Sequence, residues 1–377
     1  MKHILTATIL ALLPLCAIAE EKAPVTETVK KPAKQRIEVC FVLDTTGSMG
    51  GLIAGAKAKI WSMANDIISA KPTPEVRFAL IAYRDRGDDY VTKITPLTDD
   101  LDAVYAELNT FKAAGGGDTP ESVGRALDES VKKIEWTKDS SVLKIIYLVG
   151  DAPPHFYKDE PDWKKVCTEA VKRDLIINAV QCGIDAETTR VWKEIADRSE
   201  GSFFAIPQDG GVVAIAAPQD KELGELNGKI GKTIIGWGDS RARSLVFTKQ
   251  AAAESAPAPA TAARLSFNSK SGKTVQGTGE LLDAIAEKKV TLDKVKKDEL
   301  PEELRKLSAD ELKAHVEKMQ KERAELQKRI TELSKDRDAY IDAERKKLAK
   351  AGKGDGFDEK VSQSLRSQAK KKGIRYE

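Results

Sequence analysis

The sequence predicts an α/β protein built on a doubly wound, mostly parallel six-stranded sheet, followed by an α-helical, coiled-coil-like C-terminal region. Apolar strand-like runs alternate with amphipathic segments over residues 36–240, and a heptad-like apolar pattern follows over 308–350. Several runs are rich in Val, Ile and Leu throughout, as in parallel sheets that are covered on both faces. Strand–helix alternation of this kind is typical of doubly wound sheets.

The α/β domain contains six predicted strands and six predicted helices. The strands are predicted at 36–43, 76–84, 90–95, 142–149, 175–181 and 202–206. The helices are predicted at 52–69, 99–113, 120–133, 162–173, 188–198 and 221–236. Continuous apolar runs indicate the buried strands, and apolar residues at helical spacing indicate the helices that cover them.

The N-terminus predicts a signal peptide over residues 1–19. A short basic lead precedes an apolar run at 4–15, and Ala17 and Ala19 are the small residues that a signal peptidase requires. The run is shorter than the roughly 20 apolar residues of a membrane span. We therefore expect cleavage after Ala19, no stable membrane span, and an exported protein that is periplasmic or secreted. Residues 20–35 are polar and predict a flexible leader.

The character of the sequence changes after residue 240. An Ala/Pro-rich stretch predicts a linker over 241–268, and a small helical segment is expected over 269–307. Residues 351–377 are expected to form a basic polar tail. Between them, Ser308 and Glu311 form a capping box that opens a long helix over 308–350.

The long helix carries an imperfect heptad seam. Two alternatives are open for it: a parallel coiled-coil dimer, which would make the protein a homo-oligomer, and an amphipathic helix that folds back on its own chain. The two arginines in the seam leave both alternatives open. One seam position holds Leu312, Met319, Leu326, Leu333 and Tyr340, and the other holds Val316, Arg323, Ile330 and Arg337.

Composition argues against nucleic acid as a partner. Charged residues make up 32% of the chain, but the net charge is only +3, so the charge is interspersed and no global basic field exists. Aromatic residues, at 6%, are too few to form a stacking platform for bases.

The residues most informative about chemistry follow the first strand. Asp44, Thr46 and Ser48 alternate, so an extended loop would point all three side chains to one side. Their oxygens could there bind one hard cation. The alternative is that these side chains only cap the first helix and complete a turn.

The run from Asp44 to Met49 resembles the metal-ion-dependent adhesion site of von Willebrand factor type A (vWA) domains, whose first element is Asp-x-Ser/Thr-x-Ser. That family supplies a Thr from a later loop and an Asp at the end of the fourth strand, and Thr119 and Asp151 match these positions. Asp118 adds a carboxylate beside Thr119, so either loop oxygen could bind the ion. The resemblance covers residues 36–240, and phrases such as YRDRGDDY and LVGDAPPH are similar to one bacterial subgroup.

The resemblance implies a Rossmann-like fold and a protein-binding module rather than an enzyme. In such a module Asp44, Thr46, Ser48, Thr119 and Asp151 hold a divalent ion, and a carboxylate of the partner protein completes the coordination. Oxygen ligands favour Mg²⁺, Mn²⁺ or Ca²⁺. The alternative function is a structural scaffold that oligomerises through the C-terminal helix, with an inert vWA face.

The sequence also predicts no catalytic residues, because Ser48 has no His nearby in the chain. In the strand order of the family, Cys40 is two strands away from Cys182, too far for a disulfide. Cys167 and Cys182 are both expected near the carboxyl edge of the sheet. We therefore expect a Cys167–Cys182 disulfide, with Cys40 buried and free.

Overall fold

The computed structural model describes residues 35–376 except 118–119, 212–214 and 353–355, and except the side chains of 356–358. The predicted signal peptide and residues 20–34 of the predicted leader lie outside the described residues. The fold class is as predicted, a six-stranded sheet flanked by helices and followed by a helical C-terminal region. The strands are β1 Arg36–Asp44, β2 Glu75–Tyr83, β3 Thr92–Thr98, β4 Leu143–Gly150, β5 Ile176–Cys182 and β6 Phe203–Ile206.

The sheet has the strand order β3-β2-β1-β4-β5-β6. Every neighbouring pair is parallel except β2 and β3, which are antiparallel. The strand order reverses between β1 and β4, because the chain adds strands on one side of β1 and then on the other. The carboxyl ends of β1 and β4 therefore meet at a switch point, which is where ligands bind in sheets of this kind.

Helices cover both faces of the sheet, which explains the continuous apolar runs in its central strands. In order along the chain, the helices are α1 Gly50–Ile68, α2 Leu101–Thr110, α3 Val123–Lys132, α4 Trp163–Lys172, α5 Ala186–Arg198, α6 Asp220–Gly231, α7 Ser240–Ser255, α8 Ala258–Ser271, α9 Leu281–Ala286, α10 Glu302–Arg305, α11 Ala309–Lys350 and α12 Gly356–Lys371. No helix in the described part of the chain is long and apolar enough to cross a membrane.

Two hydrophobic cores lie on opposite faces of the sheet. Side chains alternate along β1, so Val39 and Phe41 enter one core while Cys40 and Val42 enter the other. The first core is completed by α1, α2, α8 and α12, and the second by α3, α4 and α5. Both faces of β1 and β4 are thereby removed from water.

The predicted linker over 241–268 is wrong, because α7 and α8 occupy it. The Ala/Pro-rich composition suits a helix: Pro257 and Pro259 lie at its start, where proline costs no hydrogen bond, and alanine is the best helix former. Ala262 and Ala263 are buried, and their small side chains allow close packing. Residues 34–377 accordingly pack as one compact unit.

The predicted basic tail is also wrong for most of its length, because α12 packs on the first core. Val361, Leu365 and Ala369 recur every four residues and are buried there. At the sheet, Gln368 donates to Asn178 Oδ1 at 2.7 Å, and Asn178 donates back to Gln368 Oε1 at 3.1 Å. Lys370 and Lys371 are exposed, and the charge of this segment obscured its apolar stripe.

The long helix α11 begins behind Ser308 with the predicted capping box. Its heptad seam packs against other helices of the same chain, as in the alternative of an amphipathic helix that folds back on its own chain. Val316 and Ile330 are buried in small cores formed with other helices. The two seam arginines are buried in intramolecular ion pairs, Arg323 with Glu280 at 2.8 Å and Arg337 with Asp220 at 2.6 Å.

The predicted Cys167–Cys182 disulfide is wrong. All three cysteines of the described residues are buried and free. Cys182 packs in the first core and Cys167 in the second, so the sheet lies between them. Because side chains alternate along β5, a position close to the carboxyl edge did not decide which face Cys182 would take.

Candidate functional site

The predicted site residues converge on the carboxyl edge of the sheet. Asp44 is the last residue of β1, and Asp151 directly follows the last residue of β4. These strands are parallel neighbours, with Leu43 opposite Val149. Both carboxylates are therefore brought to the same edge, at the switch point.

The first loop gathers Asp44, Thr46 and Ser48 as the alternation predicted. Thr46 donates to Asp44 Oδ1 from its backbone nitrogen at 2.8 Å and from its hydroxyl at 2.7 Å. The hydroxyls of Thr46 and Ser48 are 3.4 Å apart. None of these side chains caps α1, because neither the short 3-10 turn at Gly47–Met49 nor α1 has a side-chain cap. The side-chain oxygens of Asp44, Thr46 and Ser48 therefore lie together without capping α1.

Asp151 is fixed by the chain that follows β5 and β6. Its Oδ2 accepts a hydrogen bond from Gln208 Nε2 at 2.6 Å, and its backbone carbonyl accepts one from Thr188 Oγ1 at 3.2 Å. Gln208 follows β6, which lies at one end of the sheet. Gln208 is not among the site residues that the sequence predicts.

The loop before α3 reaches the first loop through its backbone. Gly47 donates to the carbonyl of Gly115 at 3.2 Å, and Ala114 donates to the carbonyl of Thr45 at 3.1 Å. A Cβ on Gly116 would lie 3.1 Å from Thr46 Cβ, so glycine permits this close approach. The predicted ligand Thr119, like Asp118 beside it, lies outside the described residues.

Glu121 is the site residue that the sequence analysis missed. It is buried, and two backbone hydrogen bonds join it to the loop after β4, from Glu121 N to the carbonyl of Pro153 at 3.0 Å and from His155 N to the carbonyl of Glu121 at 2.6 Å. A Cβ on Gly116 would lie 3.5 Å from Glu121 Oε1. The signal was available: Glu121 stands two residues after Thr119, in the run that supplied the predicted loop ligand.

Among the described residues, no cationic side chain forms an ion pair with Asp44 or Glu121. Burial raises the pKa of Asp44 to about 7, and the nearby charge of Asp151 also raises it. Burial raises the pKa of Glu121 to about 9, with the charge of Asp44 as the next contribution. In the described residues Asp44 Oδ2 and Glu121 Oε2 are buried with no hydrogen-bond partner. Such atoms are costly unless a proton or cation neutralises them.

The donor set fits a hard divalent cation. Asp44, Glu121 and Asp151 offer carboxylate oxygens, and Thr46 and Ser48 offer neutral hydroxyls, all at one edge of the sheet. Within the described residues no group of three or more His, Cys, Asp or Glu side chains is arranged to hold a metal by itself. The hydroxyls would therefore have to complete the ligand set, and such a set suits magnesium, manganese or calcium.

A second polar cluster forms the rim beside Glu121. Asp85 follows β2, and its Oδ1 accepts a hydrogen bond from Ser122 at 2.7 Å. Its Oδ2 accepts one from Tyr157 at 2.7 Å and lies 2.9 Å from His155 Nδ1. The rings of His155 and Tyr157 are stacked with centroids 4.0 Å apart. These contacts fix the loop after β4 against the loop after β2.

Comparison with known proteins identifies the class of this domain. Residues 38–208 match the family model of the von Willebrand factor A domain, which supports a vWA domain over this part of the chain. That match begins in β1, ends just after β6, and includes Asp44, Glu121 and Asp151.

The relatives are similar to this chain over part of its length. The human von Willebrand factor A domain-containing protein 7 is 38% identical over 114 residues, which is 30% of this chain and 12% of that protein. A putative ariadne-like RING finger protein of Acanthamoeba polyphaga mimivirus is 23% identical over 158 residues, 37% of this chain and 15% of that protein. Among solved structures, the SpRpn10 VWA domain superposes with a TM-score of 0.35 at 12% identity, covering 46% of this chain and 89% of that one. This chain thus spans a small part of the relatives' length.

Proposed function

We propose that this protein is an exported binding module that captures an acidic residue of a partner protein through a divalent cation at the carboxyl edge of its vWA domain. A vWA domain suggests a protein-interaction module, and the cation, the acidic partner residue and the export are our proposal. The observation that carries it is the pair of buried, unpartnered carboxylate oxygens on Asp44 and Glu121.

The ion would be held by Asp44, Ser48, Glu121 and Asp151 together with Thr46, and Thr119 is the further ligand that the family resemblance implies. When bound, a divalent cation supplies positive charge and an open coordination position that a carboxylate of the partner can fill. The chain's own residues hold this edge rigid. Thr46 orients Asp44 Oδ1, and Gln208 orients Asp151.

We propose binding rather than catalysis, because the groups that could activate a nucleophile are engaged elsewhere. Ser48 contacts the hydroxyl of Thr46, while the imidazole of His155 lies against Asp85. Burial raises the pKa of the Cys40 and Cys182 thiols, which disfavours the reactive thiolate. Assays with phosphoester and peptide substrates in Mg²⁺ should show no turnover, and a turnover that Asp44→Ala abolishes would identify an enzyme instead.

The proposed export rests on the sequence pattern of residues 1–19. N-terminal sequencing of protein recovered from the extracytoplasmic fraction should begin at Glu20. Retention of the full chain in the cytoplasm would contradict export, but it would leave the binding site as proposed.

To test metal-dependent capture, residues 20–377 are immobilised and incubated with an envelope extract. Three conditions are compared: intact protein in Mg²⁺, intact protein in EDTA, and the Asp44→Ala/Thr119→Ala variant in Mg²⁺. Asp89→Ala is the matched control, since Asp89 is an acidic residue near the same edge with a side chain 89% exposed. We expect a partner that only the intact protein and the control retain, and only in Mg²⁺. The same proteins in all conditions, or none in any, would show that this edge is not the binding site.

A further inference from the structure

Two large apolar side chains project from loops at the edge that carries the candidate site. Phe156 is 85% exposed and Ile184 is 95% exposed, whereas the next most exposed large hydrophobic side chain among the described residues, Phe247, is 47% exposed. A single exposed apolar residue is ordinary on a protein surface. Two of them on adjacent loops around one site need a physical account.

Both residues follow strands that end beside Asp151. Phe156 lies five residues after Asp151 in the loop after β4, and Ile184 lies two residues after the end of β5. Because β4 and β5 are parallel neighbours, both loops leave the sheet at the same edge. Thr188, four residues after Ile184, donates to the carbonyl of Asp151 at 3.2 Å, which ties the second loop to the site.

The loop after β4 is built to hold Phe156 outward. Its neighbours on both sides turn inward to Asp85: His155 lies 2.9 Å and Tyr157 2.7 Å from the same carboxylate oxygen. The guanidinium of Arg86 lies 3.9 Å from the ring centre of Tyr157, on the ring face. With residues 155 and 157 anchored, the ring between them is directed to solvent on a rigid loop.

Ile184 stands on an equally fixed turn. Gly183 before it has φ of 82°, a conformation that favours glycine. Asp185 after it caps α5 by accepting a hydrogen bond from Thr188 N at 2.7 Å, and its carbonyl accepts one from Gln181 Nε2 at 2.8 Å. The side chain of Ile184 is therefore held out of the core by the backbone on both sides of it.

We propose that the partner segment carries an acidic residue flanked by apolar side chains, and that these apolar side chains pack on Phe156 and Ile184. This inference rests on the proposed function, since the cation positions the acidic residue between the two loops. Rigid apolar residues suit this role, because little conformational entropy is lost when a partner covers them. They supply the binding energy and the selectivity that a bare carboxylate lacks.

A protein segment fits this surface better than a lipid bilayer does. The exposed acidic side chains beside these loops are paired with arginines, Asp159 with Arg86 at 2.9 Å and Glu187 with Arg190 at 2.6 Å. These pairs leave no excess of basic charge in them that would attract anionic headgroups. An apolar residue next to the acidic residue of a protein can instead pack on Phe156 or Ile184 while the acidic residue binds the cation.

The test uses a displayed library of random nonapeptides, selected on the chain 20–377 in Mg²⁺ and eluted with EDTA. We expect the eluted pool to be enriched in Asp or Glu with an aromatic or aliphatic residue within two positions. Phe156→Ser and Ile184→Ser should each weaken the binding of pool peptides about 10–30-fold, a larger loss than most interface residues give. Phe247→Ser, a change at an exposed aromatic on α7, is the matched control and should have no effect.

Each other outcome overturns the inference in a distinguishable way. If the eluted peptides are acidic but carry no apolar residue near the Asp or Glu, the apolar contact is refuted and the proposed function stays intact. The same holds if the Phe156→Ser and Ile184→Ser variants bind the eluted peptides normally. A pool with no EDTA-sensitive acidic peptides refutes both. In a parallel arm with vesicles of phosphatidylethanolamine and phosphatidylglycerol, sedimentation of the protein that Phe156→Ser abolishes would assign these residues to a membrane surface instead.

Discussion

Buried carboxylates are neutralised differently in two regions of this molecule, the C-terminal helices and the carboxyl edge of the sheet. The helices supply an arginine: Arg323 donates to Glu280 at 2.8 Å and to Asp283 at 3.0 Å, and Arg337 donates to Asp220 at 2.6 Å. At the sheet edge, the described residues offer no ion pair to Asp44, and its Oδ2 has no hydrogen-bond partner.

The difference separates a structural use of buried charge from a functional one. A carboxylate paired with a guanidinium is neutralised permanently, and it fixes the packing of the elements that carry the pair. A carboxylate without a cation raises the free energy of the folded state until a proton or an ion binds. The helices therefore use buried charge to join parts of the chain, whereas the sheet edge keeps it available for an external ligand.

The largest effect is expected in the helical region. Arg323→Met should lower the free energy of unfolding by about 3–5 kcal/mol, because Glu280 and Asp283 would stay buried without their cation. Urea unfolding followed by circular dichroism measures it. Arg329→Met is the matched control on the same helix: Arg329 pairs with Glu222 at the surface, and its loss should leave stability unchanged. Equal effects of the two variants would contradict the distinction between the regions.

At the sheet edge the largest effect is expected on metal affinity. Asp44→Asn should weaken Mg²⁺ or Mn²⁺ binding at least about 100-fold, since loss of partners that merely orient a ligand already costs about 10–100-fold. Isothermal titration calorimetry measures it. Glu121→Gln should act in the same direction, which tests the ligand that the sequence analysis missed. Asp89→Asn should bind metal normally, and normal binding by Asp44→Asn would remove Asp44 from the site.

The pH dependence of stability should differ with and without metal. Asp44 and Glu121 have pKa values in the folded protein of about 7 and about 9, above their ordinary values. Between about pH 4 and 9 the folded chain in EDTA therefore holds more protons than the unfolded chain, and its stability falls as pH rises. We expect Tm in EDTA to fall by about 5–10 °C between pH 5 and 8 through these groups.

Saturating Mg²⁺ replaces the protons on Asp44 and Glu121 and should remove most of the fall in Tm with pH. In EDTA, the Asp44→Asn variant should show a smaller fall in Tm than the intact protein. Thermal unfolding in matched buffers measures all three conditions. A slope in EDTA that is unaffected by Asp44→Asn would place the pH dependence elsewhere in the molecule.

The smallest effect is expected where neutral groups join the two regions. Gln368→Ala removes a reciprocal amide pair with Asn178 on β5 and should cost about 1–3 kcal/mol, the usual cost of leaving a buried polar group unpaired. Urea unfolding measures it, with the exposed Gln363→Ala on the same helix as control. A loss no greater than that of the control would show that α12 contributes little to the stability of the sheet.

Much of the fold was predictable, because the patterns that specify strands and helices are local. The continuous apolar runs predicted six strands, and the observed sheet has six, with boundaries that differ by a few residues. The capping box at Ser308 and Glu311 predicted the start of α11. In the candidate site, the alternation of Asp44, Thr46 and Ser48 predicted that their oxygens would lie together, and hydrogen bonds within the first loop join them.

The sequence by itself therefore determined the sheet, its helices and the first loop of the candidate site, since each depends on residues within a few positions of one another. Only the tertiary structure decided which buried carboxylates are neutralised. Arg323 reaches Glu280 from 43 residues away, whereas no described cation reaches Asp44. It also decided that Cys167 and Cys182 lie on opposite faces of the sheet and that α8 and α12 pack on its core. These outcomes depend on which distant segments share a surface, and local periodicity carries no information about that.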